Sequence, residues 1–182
     1  MNSLRMCIGV IILFLVANVS ACSSSPKQSP DVRDSIRTSL NQAGLNDVSV
    51  SQDRDKGVVT LDGHVAAESD KAKAESLAKG LAGGQVVANQ ILVTPPAAES
   101  DAKAINSDHD KAIEKNLDAE LIKSNLQKVV KFDVKNGVVT LTGNANSPAI
   151  RSDAEKVAAS VPNVVQVVNE MDVKNSKATT TK

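Results

Sequence analysis

One seven-residue string occurs twice in this chain of 182 residues, and the repeat limits the folds that are open to it. The first copy reads Gly-Val-Val-Thr-Leu-Asp-Gly at residues 57–63, and the second reads Gly-Val-Val-Thr-Leu-Thr-Gly at residues 137–143, an offset of 137 − 57 = 80. A β-branched run between two glycines is typical of a short strand bounded by turns. Because the string is duplicated, we expect one structural unit to occur twice.

The residues around each string predict the same order of elements: helix, strand, strand, helix, strand. In the first unit, the spacing of Val32, Ile36 and Leu40 predicts one apolar face of a helix. Gly44 then predicts the end of that helix, because glycine tolerates a left-handed backbone. The second unit repeats this order, and the two copies align without a gap from residue 57 to residue 93 at the offset of 80.

The N-terminus has the features of a lipoprotein signal peptide. Arg5 precedes an apolar run over residues 6–19, which is too short to span a bilayer comfortably but suits a secretory signal. The run ends in Val-Ser-Ala-Cys at residues 19–22, which resembles a bacterial lipobox. We therefore expect Cys22 to carry palmitate and to be the first residue of the mature protein. The alternative is an ordinary signal peptide, cleaved to leave a soluble periplasmic protein with a free Cys22.

These features divide the chain into six segments. We predict a signal peptide at 1–21, a flexible tether at 22–29, a first domain at 30–94, a linker at 95–107, a second domain at 108–174 and a polar tail at 175–182. Part of the linker has the composition to extend the third helix backwards, and we expect the tail to fray.

The closing strand of each unit carries a second shared pattern, Val-x-Asn-x-(Ile/Met)-x-Val, at residues 87–93 and 167–173. Together with the glycine-bounded strand, it resembles the BON domain family, known from OsmY-type envelope proteins. The resemblance covers both units. It implies an α+β fold of two tandem α-β-β-α-β modules, each a three-stranded mixed sheet with two helices on one face. The residues agree, because a tight turn makes the first two strands antiparallel, and the helix that follows returns the chain for a right-handed parallel step.

Composition and spacing argue against catalysis, metal binding and nucleic-acid binding. The 21 basic and 21 acidic residues leave no net charge to neutralise phosphates, and the absence of Trp and Tyr leaves few platforms for stacked bases. His64 and His109 are not at the spacing of metal ligands, and no nucleophile pattern accompanies them. We therefore predict that the protein is not an enzyme and has no cofactor, no metal and no nucleic-acid partner.

Two surfaces are candidate contact sites. The uncovered face of the first sheet is the more apolar of the two, and we expect it to dock the partner domain or another protein, whereas the second face is expected to be solvated. The residues of the first face are Val58, Thr60, Val86, Ala88 and Leu92. A membrane contact is expected on the helix of residues 108–124, through Ile113, Leu117, Leu121 and Ile122, and the alternative for Ile122 is a place at the edge of the core.

Six repeated residues are expected to be structural. The glycines at 57, 63, 137 and 143 need a positive φ or a close backbone approach. Asn89 and Asn169 are expected to tie a strand to a helix end or a loop, with ligand binding as the alternative. These six residues are Gly57, Gly63, Asn89, Gly137, Gly143 and Asn169.

The resulting prediction is a non-enzymatic, lipid-anchored protein that faces the periplasm. Ser23, the residue after the lipidated Cys, favours the outer membrane as the place of the anchor. The family resemblance implies that it binds phospholipid and supports envelope integrity or the osmotic stress response. An envelope protein is a further possible partner. The alternative is a periplasmic adaptor or chaperone-like protein that holds other proteins on its sheet face.

Overall fold

The computed structural model describes residues 28–94, 99–173 and 179–181, apart from the side chains of residues 99 and 100. Cys22 and the predicted signal peptide lie outside the described residues. The described part is an α+β protein built from two tandem units that each contain a mixed sheet, which confirms the predicted fold class.

The described residues form four helices and eight strands. The first unit contains α1 (Arg33–Gln42), β1 (Val48–Asp53), β2 (Val58–Val65), α2 (Glu68–Leu81), β3 (Val86–Asn89) and β4 (Leu92–Val93). The second contains α3 (Glu99–Lys123), β5 (Val130–Lys135), β6 (Val138–Gly143), α4 (Pro148–Ala159), β7 (Gln166–Asn169) and β8 (Thr179–Thr181).

Both sheets are mixed, as the order of the elements requires. The hairpin strands β1 and β2 are antiparallel, and β3 returns parallel to β2 after the crossover helix α2. The short strand β4 continues β3 after a two-residue break and pairs with the end of β2. The second sheet has the order β5-β6-β7-β8, in which β8 runs antiparallel to β7.

Each unit has its own core between its sheet and its two helices. The second helix of each unit has two fully buried alanines, Ala74 and Ala78 in the first unit and Ala154 and Ala158 in the second. Small side chains let the helix lie close to the strands, so a core with almost no aromatic residues can still be well packed.

The glycines that close the repeated string allow a close backbone approach. Gly63 has φ +116°, and a Cβ there would lie 2.0 Å from the carbonyl oxygen of Asp47. Gly143 is equivalent, with φ +123° and a distance of 2.2 Å to the oxygen of Val129. The glycines that open the strings, Gly57 and Gly137, also have positive φ angles.

Helix α3 begins at Glu99, so the predicted linker of residues 95–107 is helical from residue 99 onwards, in line with the backward extension of the third helix that its composition allows. The tail differs from the sequence-based expectation. Residues 179–181 form β8 instead of fraying, because the free edge of β7 supplies the hydrogen-bond partners that a polar Thr-rich strand needs.

The outer faces of the two sheets pack against each other. Val58 and Ala88 of the first sheet meet Val138 and Val168 of the second in one buried apolar cluster, with Val86 partly buried beside it. We call these five residues the inter-domain cluster.

The expectation that the second sheet face is solvated is therefore wrong. Val138 and Val168 are 1% and 0% exposed. The polar residues that suggested a solvated face lie around the cluster, where Gln166 and Asp172 bond to the first domain.

We expect Gly63→Ala to destabilise the protein by about 3 kcal/mol, because the new Cβ would clash with the backbone at Asp47. Gly84→Ala is the matched control, because Gly84 has φ +85° with open space around it and should cost only about 1 kcal/mol. Urea unfolding measures both variants. Equal losses of stability in the two variants would show that the clash with Asp47 costs nothing beyond the strain of the positive φ angle.

We expect Val168→Asp to weaken the contact between the domains by about 3 kcal/mol, because it places an unpaired carboxylate in the inter-domain cluster. Differential scanning calorimetry should then show two separate transitions in place of one. Ser51→Asp introduces the same group at an exposed position of β1 and should leave the trace unchanged. A single unshifted transition for Val168→Asp would contradict the packing.

Candidate functional site

Polar contacts close both ends of the inter-domain cluster. At one end, the ammonium group of Lys56 pairs with the carboxylate of Asp172. At the other end, Lys135 pairs with Asp62. Each β-hairpin turn thus reaches the other domain. Because these ion pairs are partly exposed, they contribute specificity of docking more than stability.

The turn of the second hairpin also contacts the first domain through an uncharged side chain. The amide of Asn136 donates to the carbonyl oxygen of Gln90 at 2.7 Å. The same turn is held from α3, where the carboxylate of Asp110 accepts from the backbone N–H groups of Asn136 and Gly137 at 2.8 and 2.9 Å. Helix α3 therefore fixes the turn that reaches the first domain.

The side-chain amide of Gln166 occupies the outer edge of β3. Its oxygen accepts from the backbone N–H of Asn89 at 3.2 Å, and its nitrogen donates to the carbonyl oxygen of Val87 at 2.8 Å. One amide thus makes the two bonds that a peptide group of an added strand would make. It satisfies part of an edge that would otherwise be open.

The two repeated asparagines occupy equivalent positions against the crossover helices. Asn169 donates to the carbonyl oxygen of Arg151 at 2.9 Å and to the carboxylate of Glu155 at 3.1 Å, and its own oxygen accepts from the N–H of Met171 at 3.2 Å. Asn89 makes the equivalent bonds in the first domain. Each buried amide therefore ties its strand to the helix and closes the strand break that follows.

Glu155 joins α4 to the C-terminal strand. The hydroxyl of Thr179 donates to its carboxylate at 2.6 Å, and the hydroxyl of Thr181 donates to the other oxygen. Burial alone would raise the pKa of Glu155. The hydrogen bonds from Thr179, Thr181 and Asn169 and the charge of Arg151 outweigh that effect, so the pKa lies below its ordinary value.

Glu170 lies at the junction of the domains. Burial raises its pKa above the ordinary value, and repulsion from Asp53 of the first domain adds to the rise, whereas the attraction of Lys56 opposes it. Its charged form is therefore less favourable in the folded protein than in the unfolded chain.

The residues expected on the first sheet face are distributed over two places. Val58, Ala88 and Val86 belong to the inter-domain cluster, and Thr60 is half-buried on the same face. Leu92 lines a cleft of about 610 Å³ between the domains, together with Asp62 and His64. The cluster residues of this face are covered by the second domain and are not available to hold another protein.

The expected membrane-contact residues separate into core and surface. Ile113, Leu117 and Leu121 are at most 2% exposed and belong to the core of the second domain. They cannot contact a membrane while this domain is folded, which corrects the expectation for these three. Ile122 is 51% exposed.

The start of the described chain is fixed to the hairpin turn of the first domain. The N–H of Ser29 donates to the carbonyl oxygen of Arg54 at 2.9 Å, and the Nε of Arg54 donates to the oxygen of Ser29 at 2.9 Å. The amide of Gln28 donates to Asp55 at 3.0 Å. The segment that precedes the first domain therefore arrives at the β1–β2 turn.

Within the described part of the chain, no three or more His, Cys, Asp or Glu side chains are grouped as metal ligands would be. No helix there has the length and apolar character needed to cross a membrane. The inter-domain cleft is lined by both acidic and basic side chains, and Lys103 and Lys111 are among the basic ones.

Sequence reasoning missed Gln166 and the tail strand β8. The signal for Gln166 was its mismatch with Val86 at the equivalent repeat position, and three successive β-branched residues were the signal for β8.

Comparison with known proteins gives three results. A sequence model described as BON domain matches residues 29–95 and 109–175. The chain is 30% identical over 160 residues to the osmotically-inducible protein Y of Escherichia coli (strain K12), covering 84% of this chain and 78% of that protein. It covers 98% of a solved C-terminal domain of CdsD, a structural protein of the type III secretion system of Chlamydia trachomatis. At 15% identity and a TM-score of 0.32, that last likeness is too low to bear on the fold.

We expect Glu170→Gln to raise the melting temperature at pH 7 and to leave it unchanged at pH 4. The raised pKa means that the wild type loses stability as pH rises from the ordinary carboxyl value of 4.5 through the folded value, and the neutral amide avoids that loss. Calorimetry of both proteins at the two pH values checks this. A difference of the same size at both would show that the charge of Glu170 is not the cause.

Proposed function

The chain belongs to the BON domain family, and on that premise we propose that it is a non-enzymatic envelope protein that binds a phospholipid surface with its second domain. In this proposal, a lipid on Cys22 anchors it to the outer membrane, and it supports envelope integrity under osmotic stress. The likeness to an osmotically inducible protein supports the stress role. The lipobox-like residues 19–22 support the anchor.

The observation that carries the proposal is the exposed side chain of Ile122. It lies in the last turn of α3, on the side opposite the buried residues of that helix. At 100° per residue, Lys115 lies on the same outer ridge and is exposed. An apolar residue in line with a lysine suits an anionic membrane, because the lysine stem can reach towards the head groups.

The two attachment points lie at the same end of the molecule. The proposed tether arrives at the β1–β2 turn, where Lys56 of that turn pairs with Asp172. The N–H of Asp172 donates to the carbonyl oxygen of Gly143, and Gly143 pairs with Val130 at the start of β5.

The strand β5 is the next element after α3. The N–H of Leu126 donates to the carbonyl oxygen of Leu121 at 2.8 Å, and the N–H of Val130 donates to the oxygen of Leu126 at 3.0 Å. Ile122 therefore lies at the end of the molecule where the tether arrives. A lipid on Cys22 would hold this end, here called the tether end, towards the bilayer.

We expect Ile122→Asp to weaken binding of the chain from Ser23 onwards to anionic vesicles by at least about fivefold. The exposed half of the isoleucine side chain would no longer be buried in the membrane, which costs about 1 kcal/mol of binding free energy, and the added negative charge increases this loss. Co-sedimentation with vesicles of phosphatidylglycerol and phosphatidylethanolamine measures this. Starting at Ser23 removes any contribution from the lipid anchor.

Ile105→Asp is the matched control, because Ile105 is 57% exposed on the same helix but lies about 25 Å from Ile122 along the helix axis. It should bind like the wild type. Equal weakening by both substitutions would show a charge effect without a site at Ile122. No binding by the wild type would overturn domain recognition of the lipid, and labelling of Cys22 with palmitate would separately test the anchor.

A further inference from the structure

We propose that the outer edge of β7 is a strand-addition site for an extended polypeptide with Thr or Ser at alternate positions, and that β8 fills it from within the chain. This inference does not depend on the proposed membrane function. It concerns a different surface, formed by β7 and the exposed side of α4.

The backbone contact defines the site as a place for a strand. Thr179 pairs with Asn169 and Thr181 pairs with Val167 in an antiparallel register. The three residues of β8 are exposed, and β8 pairs with β7 over these three residues. The contact therefore rests on a short ladder that a competing strand could replace.

The side-chain contacts give the site its selectivity. Alternate residues of a strand point to one face, so Thr179 and Thr181 both donate to the carboxylate of Glu155 on α4. Hydrogen bonds to a charged acceptor are stronger than neutral ones. The hydroxyl of Thr180 faces the other way and accepts from Gln166 at 2.9 Å. A partner would therefore need hydroxyl groups at two positions, separated by one residue of any kind.

The first domain shows why the site exists in only one of the two copies. It keeps the equivalent carboxylate, Glu75, but there Lys79 pairs with it. The residue equivalent to Lys79 is Ala159, so Glu155 has no such lysine and takes hydroxyl donors instead. The edge of β3 is also bonded by the side-chain amide of Gln166. The residue equivalent to Gln166 in the first domain is Val86, whose apolar side chain cannot make the same hydrogen bonds to the edge of β7.

The test uses the chain from Ser23 to Lys182 with a fluorescent peptide of residues 176–182 as the probe. In the wild type, the tail competes from within the chain at high effective concentration, so the peptide should bind weakly. In Thr179→Val/Thr181→Val, the tail loses both hydroxyl donors, and we expect the peptide to bind about tenfold more tightly or better. Thr180→Val is the matched control, because it leaves the bonds to Glu155 in place, and it should behave as the wild type.

Two further measurements test the hydroxyl requirement in the Thr179→Val/Thr181→Val chain. A peptide with Val at both positions should bind at least about tenfold more weakly than the Thr peptide. Adding Glu155→Gln should remove most of the gain. Circular dichroism melting confirms that each variant is folded, and an NMR titration of Glu155 should show its pKa falling when the Thr peptide binds.

Two results would overturn the proposal. One is equal binding of the Thr and Val peptides, which would mean that the edge is not selective for hydroxyl groups. The other is a folded Thr179→Val/Thr181→Val chain that takes up no peptide at millimolar concentration, which would mean that the edge accepts only its own tail.

Discussion

The contact between the two bare sheet faces is the interaction on which the rest of the structure depends. A unit of about 60 residues buries too little surface to be more than marginally stable alone. The helices cover one face of each sheet, and the inter-domain cluster covers part of the other with four small aliphatic side chains and the edge of Val86. Because those side chains are small, the two backbones approach closely enough for Gln166 to reach the edge of β3.

The differences between the two copies then decide what each surface can do. Both copies keep the asparagine and the glutamate that join the third strand to the crossover helix. They differ where Lys79 is matched by Ala159 and where Val86 is matched by Gln166. The retained pair serves the fold of each domain. The exchanged residues give the two outer edges different neighbours, a side-chain amide for β3 and a Thr-rich strand for β7.

The parts of the fold that depend on local pattern could be predicted from the sequence. The two domains and their mixed sheets were predicted from the repeat at offset 80, from the glycine-bounded strands and from the residues that end the helices. The pairing of the sheet faces could not be predicted, because Val168 alternates along the chain with polar residues, and two of these, Gln166 and Asp172, bond to the other domain. β8 was missed for a similar reason, since a Thr-rich tail forms a strand only when an edge is available. On α3, the sequence placed Ile122 beside the apolar stripe but could not separate it from Leu117 and Leu121, which the sheet buries.

The docking of the domains also has the symmetry of a two-fold dimer. Each hairpin turn contacts the far end of the other sheet, through Lys56 and Asp172 in one direction and through Asn136 and Gln90 in the other. Such a self-complementary arrangement is isologous, in the sense used for pairs of identical subunits. A single unit of this kind carries both the hairpin turn that contacts a partner and the sheet end that a partner's turn contacts. Joining two copies in one chain makes that association independent of concentration and frees each copy to acquire changes at its outer edge.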